Sequence, residues 1–282
     1  SRAAGFREDF GGMRRKEAER ERPAGGPWYP PGAVLLAPLS GYTDLPFRRG
    51  ARRYGCRYAF TPLVDSRSVV YGNRRNRTLL TRGDEEKWLG IQIVGEDPDV
   101  LAEAARRLNE HVFEAIDLNM GCPVPKVTRK GAGAALCRTP ALACRCVEAL
   151  RRCSRFPVTA KIRILDSDDP ESTVALSRAL VMAGIEALTI HGRVHEQMYA
   201  GPVAASVIRA VGEAVEVPVI ANGGVVDRES AAALRSASGC GRIMVARGAI
   251  GNPWIFRELL RDPPGGPPSH AELCEEMERH VM

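Results

Sequence analysis

The chain reads as a closed (β/α)8 barrel of the TIM type. Eight short apolar runs alternate with amphipathic helical patterns over about 230 residues, polar residues collect at the C-terminal ends of those runs, and Gly-rich loops follow the last two. A dinucleotide-binding doubly wound sheet would show Gly-x-Gly-x-x-Gly after its first strand, and none is present.

The runs expected as strands are 33–37, 58–61, 89–94, 115–119, 158–162, 187–191, 217–222 and 242–246. Their Val, Ile, Leu and Ala content suits parallel strands covered on both faces. Helices are expected over 44–54, 66–81, 98–110, 139–153, 171–183, 203–214, 228–237 and 253–261. Asp97-Pro98 and Asp169-Pro170 are suitable starts for the third and fifth, a capping carboxylate followed by a proline that needs no donor. The expected domains are a flexible charged extension over 1–31, the barrel over 32–262, and a linker with the start of a truncated helical region over 263–282.

The 282 residues carry a net charge of +6. From Asp44 to Lys87 there are eleven basic residues against five acidic ones, a surplus equal to that of the whole chain. Such a surface suits a polyanion such as RNA. No apolar run approaches the roughly 20 residues that cross a bilayer, so no membrane is expected as a partner. The eight cysteines form no Cys-x-x-Cys pair, which points away from zinc and toward a reducing setting. Cytoplasmic location is expected, with an organelle left open because the chain does not begin with Met.

Six expected strands place polar residues at one mouth: Gln92, Asn119, Lys161 with Arg163, His191, Asn222 and Arg247. The fourth run ends in Asp117-Leu-Asn-Met-Gly-Cys-Pro123, which displays Cys122 between Gly121 and Pro123 at the sheet rim. After the seventh and eighth runs, Asn222-Gly223-Gly224 and Ala246-Arg247-Gly248 offer free amides and a guanidinium for a phosphate.

Further motifs are Ala37-Pro-Leu-Ser-Gly-Tyr-Thr-Asp44, Tyr71-Gly-Asn73, Gly131-Ala-Gly-Ala134, Lys161-Ile-Arg163, His191-Gly-Arg193 and Arg247-Gly-Ala-Ile-Gly-Asn-Pro-Trp254. With the Cys122 loop they resemble the tRNA dihydrouridine synthases from about Ala37 to Leu260. The resemblance implies an NADPH-dependent oxidoreductase that uses FMN to reduce the C5=C6 bond of uridine in tRNA; a monomer is expected. It implies FMN contacts at Ala37, Pro38, Leu39, Gln92, Lys161, His191, Asn222, Gly223, Gly224, Ala246 and Arg247. It also implies substrate contacts at Asn119 and Arg163, with Cys122 as proton donor and no metal. A free thiol, with a pKa near 8.5, is mostly protonated at neutral pH and suits that role.

The chain departs from the family pattern at Leu39, at Pro62-Leu63, at Gly224 where an acidic residue is common, and at Ala246 where Gly is usual. Two other functions fit parts of the pattern: an FMN barrel oxidoreductase acting on a free pyrimidine, and a non-catalytic RNA-binding barrel.

Overall fold

The computed structural model describes residues 29–261 and 268–281. Most of the expected extension over 1–31 and of the expected linker lies outside the described residues. The strands are β1 (Val34–Leu36), β2 (Tyr58–Phe60), β3 (Val64–Asp65), β4 (Leu89–Val94), β5 (Ala115–Met120), β6 (Val158–Arg163), β7 (Ala187–His191), β8 (Val219–Asn222) and β9 (Ile243–Val245). All pair in parallel, and the sheet closes because β2 pairs with both β1 and β4. Strand β3 continues the position of β2, pairing with the far end of β4. The closed barrel thus has eight strand positions, as the sequence predicts.

Helices α1 (Leu45–Arg53), α2 (Ser66–Val70), α3 (Asn76–Leu79), α4 (Pro98–Leu108), α5 (Pro125–Thr128), α6 (Pro140–Cys153), α7 (Glu171–Ala183), α8 (Ala205–Ala214), α9 (Arg228–Ser238), α10 (Ile255–Leu260) and α11 (His270–Val281) complete the described chain. Local chemistry sets their ends. Asp97 accepts from the amides of Asp99 and Val100 at 3.0 and 3.3 Å, Asp227 forms a capping box with Ser230, and left-handed Gly184 stops α7. The expected single helix over 66–81 is two short ones. Gly72 at φ +75° breaks it, and the Asn73 side chain accepts from the Arg75 amide at 2.9 Å to turn the chain. The expected strand over 217–222 begins only at Val219, after a proline that has no ladder donor.

Strand alternation divides the interior in two. One side of the barrel wall packs Leu, Ile, Val and Ala against the helices. The other turns inward and is filled at its base by Tyr29, Leu35, Tyr58, Phe60, Ile220 and Met244, with Trp88 edge-on to three of the rings. Because successive inward residues are two apart, this aromatic floor is followed upward by Gln92, Asp117, Asn119, Thr159, Lys161 and His191.

The expected RNA-facing basic surface is narrower than the residue count suggests. Arg48 and Arg52 both close on Glu86, Arg49 on Glu85, Arg53 on Glu276 of α11, Arg67 on Glu96 and Arg82 on Glu114. Arg48 is fully buried, gripping Glu86 with two bonds at 2.9 and 2.8 Å. Six of the eleven cations are therefore structural, because carboxylates distant in sequence fold onto them.

Candidate active site at the barrel mouth

Above the aromatic floor, adjacent strands place Gln92, Asp117 and Thr159 side by side. Thr159 Oγ1 donates to Asp117 Oδ1 at 2.6 Å and Gln92 Nε2 donates to Asp117 Oδ2 at 2.7 Å. Asn119 Nδ2 donates to Gln92 Oε1 at 2.8 Å, and Asn119 Oδ1 accepts from the amides of Gly121 and Cys122 at 3.2 and 2.9 Å. An ionised carboxylate only accepts, so Asp117 dictates the orientation of both amides up to the Cys122 loop. Burial raises the Asp117 carboxyl to about 6, against the bonds from Thr159 and Gln92 and the charge of Lys161.

The loop is gripped from its other side by Arg163, whose Nε donates to Gly121 O at 2.8 Å. Gly133 at φ +60° lies so close that a Cβ there would meet Cys122 O at 2.6 Å. Cys122 is partly exposed, whereas Cys56, Cys137 and Cys146 are buried, which pushes their thiols up to about 12.

Four cations line the mouth: Lys161, Arg163, Arg193 and Arg247. Among the described residues none has a carboxylate within 4.0 Å of its charged nitrogens. Lys161 Nζ donates to Asn222 Oδ1 at 2.9 Å, and burial followed by the Arg163 charge lowers its ammonium to about 8. Burial, then Lys161, Arg163, Arg193 and Arg247, hold His191 down to about 2, so its ring is neutral. Arg193 Nη1 sits 3.4 Å from His191 Nε2; a guanidinium only donates, which leaves the lone pair on Nε2. Tyr199 lies under Arg247 and Arg163, 4.7 and 5.5 Å from ring centre to Cζ.

The loops after β8 and β9 complete the concavity. Gly223 and Gly224 have φ of +128° and +73°, and a Cβ on Gly223 would meet Val203 Cγ2 at 3.0 Å and His191 Cδ2 at 3.1 Å. The acidic residue common at Gly224 would be strained there. Among the described residues, the amides of Gly223, Gly224 and Arg247 donate to no backbone oxygen. Ala246 lies beside them, at the end of β9, with φ −117°. On the far side Ala37 bonds Val245 O at 2.8 Å, and the Pro38-Leu39 loop is tied back by Thr43, whose Oγ1 accepts from Leu39 N at 3.0 Å.

The structure brings every expected site residue to this one end of the barrel. It also adds Asp117, Thr159, Arg193 and Tyr199, to which the sequence reading assigned no role. Period-two spacing, Asp117 to Asn119 and Thr159 to Lys161, is the signal that could have found the first two. Arg193 and Tyr199 sit in a loop, where no periodicity points inward.

A parallel barrel with an unpaired cationic mouth, free glycine amides and a displayed thiol defines an α/β-barrel enzyme for an anionic cofactor or substrate. The family model described as dihydrouridine synthase (Dus) matches residues 35–282, and the chain belongs to that family. It is 39% identical over 234 residues to the tRNA-dihydrouridine synthase B of Pseudomonas aeruginosa, covering 83% of this chain and 70% of that protein. To the enzyme of that name from Pasteurella multocida it is 35% identical over 253 residues, covering 88% and 76%. Among solved structures, a 6-hydroxypseudooxynicotine amine oxidase from Pseudomonas geniculata superposes with TM-score 0.59 at 9% identity over 81% of this chain and 46% of that one, a likeness of fold. No helix among the described residues is long and apolar enough to cross a membrane.

Proposed function

We propose that this chain reduces uridine to dihydrouridine in tRNA, with FMN held at the barrel mouth, NADPH as the reductant and Cys122 as the proton donor. The observation that carries this is the Cys122 loop, clamped by Asn119 and Arg163 at the rim of the mouth that Lys161 occupies. The substrate class rests on the relatives named tRNA-dihydrouridine synthase B. The proposed setting is the cytoplasm and the proposed state a monomer.

The residues present fit FMN. Unspent amides at Gly223, Gly224 and Arg247, with the Arg193 and Arg247 guanidiniums, suit a phosphate. Gly223 leaves room where a Cβ would press on His191 and Val203. The backbone of Ala37, Pro38, Leu39 and Ala246 and the polar groups of Gln92, Lys161, His191 and Asn222 would bound the ring system. When bound, FMN would supply a two-electron carrier that takes hydride from NADPH and gives it to uracil C6.

The chain's own residues supply the rest. Adding hydride at C6 builds negative charge at C5 and on the C4 carbonyl, which a positioned acid and nearby cations relieve. Cys122 Sγ would give its proton to C5. Lys161, aimed by Asn222, and Arg163 would offset the charge. His191, kept neutral, would bind and orient without moving a proton. Asn119 would orient the base indirectly, through the loop it holds.

The deciding experiment is to purify the protein, record its flavin spectrum, and measure dihydrouridine in tRNA incubated with NADPH. A yellow protein that reduces tRNA uridine is expected. A yellow protein that reduces only free pyrimidines would favour the free-substrate oxidoreductase, and a colourless one that binds RNA the non-catalytic barrel.

A further inference from the structure

Beside the mouth lies a groove of ≈ 490 Å³, lined by Asp65, Arg67, Ser68, Tyr71, Asn73 and Lys130. Tyr71 is 78% exposed, the most exposed aromatic side chain among the described residues. A lone exposed tyrosine is ordinary, but the turn that carries this one is braced. Tyr71 N donates to Arg67 O at 2.8 Å and Asn73 N to Ser68 O at 3.0 Å. Asn76, nearly buried, locks Ser68 through bonds of 3.0 and 2.7 Å. The ring is held in water by a rigid support rather than left on a loose tip.

The groove is coupled to the reactive loop. Lys130, its far wall, belongs to the segment that leaves Cys122 through α5, and Glu96 pairs with Arg67 at 2.6 Å while lying 3.8 Å from where a Gly131 Cβ would stand. Lys126, Arg129 and Lys130 on that segment, and Arg74 and Arg75 on the turn, are all exposed. Among the described residues, their one ion pair is the long one from Lys130 to Asp65 at 3.9 Å.

We propose that this groove is a second nucleotide subsite, in which a base adjoining the reacting uridine stacks on Tyr71 while Lys130 and its basic neighbours hold the adjoining phosphates. The inference rests on the uridine-reduction reading. A uracil drawn out of the RNA fold to reach Cys122 leaves its neighbour without a stacking partner. A fixed aromatic face among cations is what an unstacked nucleotide finds favourable whatever its sequence. An acidic protein segment would use the cations but would leave the ring without a role.

The test uses the full chain and a tRNA transcript carrying 2-aminopurine next to the uridine found to be reduced. Tyr71→Ala should weaken tRNA binding about tenfold and relieve the 2-aminopurine quenching, with the salt slope of binding unchanged. Tyr71→Trp should restore both. Lys130→Ala should instead lower the slope of log Kd against log salt by about one. Product formation by the wild-type chain with unchanged affinity and quenching in Tyr71→Ala would overturn the subsite alone. A wild-type chain that forms no dihydrouridine would overturn the uridine-reduction reading and the subsite with it.

Discussion

Asn119 Oδ1 accepts from the Cys122 amide at 2.9 Å, and its Nδ2 donates to Gln92 Oε1 at 2.8 Å, so one buried amide ties the thiol's loop to the barrel interior. Asn119→Ala should lower dihydrouridine formation about 100-fold, the cost of a misplaced reacting group, and stability by about 1–3 kcal/mol. Asn119→Asp keeps the acceptor for the loop but cannot donate to Gln92, and should recover part of the rate. Single-turnover reduction and thermal unfolding of the three proteins check this.

Cys122→Ala removes the proposed acid and nothing that holds the cofactor. Uridine reduction should fall by about 10²–10⁴, the usual worth of a general acid, while NADPH still bleaches the flavin band. Stopped-flow absorbance separates the two half-reactions, and unchanged dihydrouridine yield would remove Cys122 from the mechanism.

Gly223 at φ +128° leaves no comfortable place for a side chain, and its Cβ would press on His191 and Val203. Gly223→Ala should cost about 1–2 kcal/mol in stability and lower the flavin content of the purified protein. The ratio of flavin to protein absorbance measures the second effect directly.

Lys161 gives a pH signature. Its ammonium lies at about 8 in the folded protein, below its ordinary value near 10.5, so between those pH values the unfolded chain binds the extra proton. Stability of the flavin-free protein should therefore gain from Lys161 as pH rises through this window, by at most about 1.4 kcal/mol per unit. Below pH 8 the penalty is fully present. Subtracting the denaturation profile of Lys161→Met isolates the effect.

Arg48 and Arg74 carry the same formal charge but occupy opposite settings, one fully buried on Glu86 and one exposed. Arg48→Met leaves the buried Glu86 carboxylate to Arg52 and the Gly83 amide and should cost about 3 kcal/mol, whereas Arg74→Met should stay within about 0.5 kcal/mol. Urea midpoints of both variants decide this.

The sequence by itself determined the barrel, because parallel strands covered on both faces must be apolar and their intervening helices amphipathic. It also determined that Gln92, Lys161, His191 and Asn222 lie toward one mouth, since polar residues at the C-terminal ends of such strands have no other place to be. Only the tertiary structure decided which charges are available. Eleven basic residues in a row of helices and turns look alike along the chain, yet Glu85, Glu86, Glu96, Glu114 and Glu276 neutralise six of them from other parts of the fold. The register of β4, β5 and β6 likewise decided that Asp117 faces Gln92 and Thr159, so that a carboxylate with no assigned role orients the amides behind Cys122. Pattern records which face a residue takes, but hydrogen bonds and ion pairs act over about 3 Å and depend on neighbours that only folding brings together.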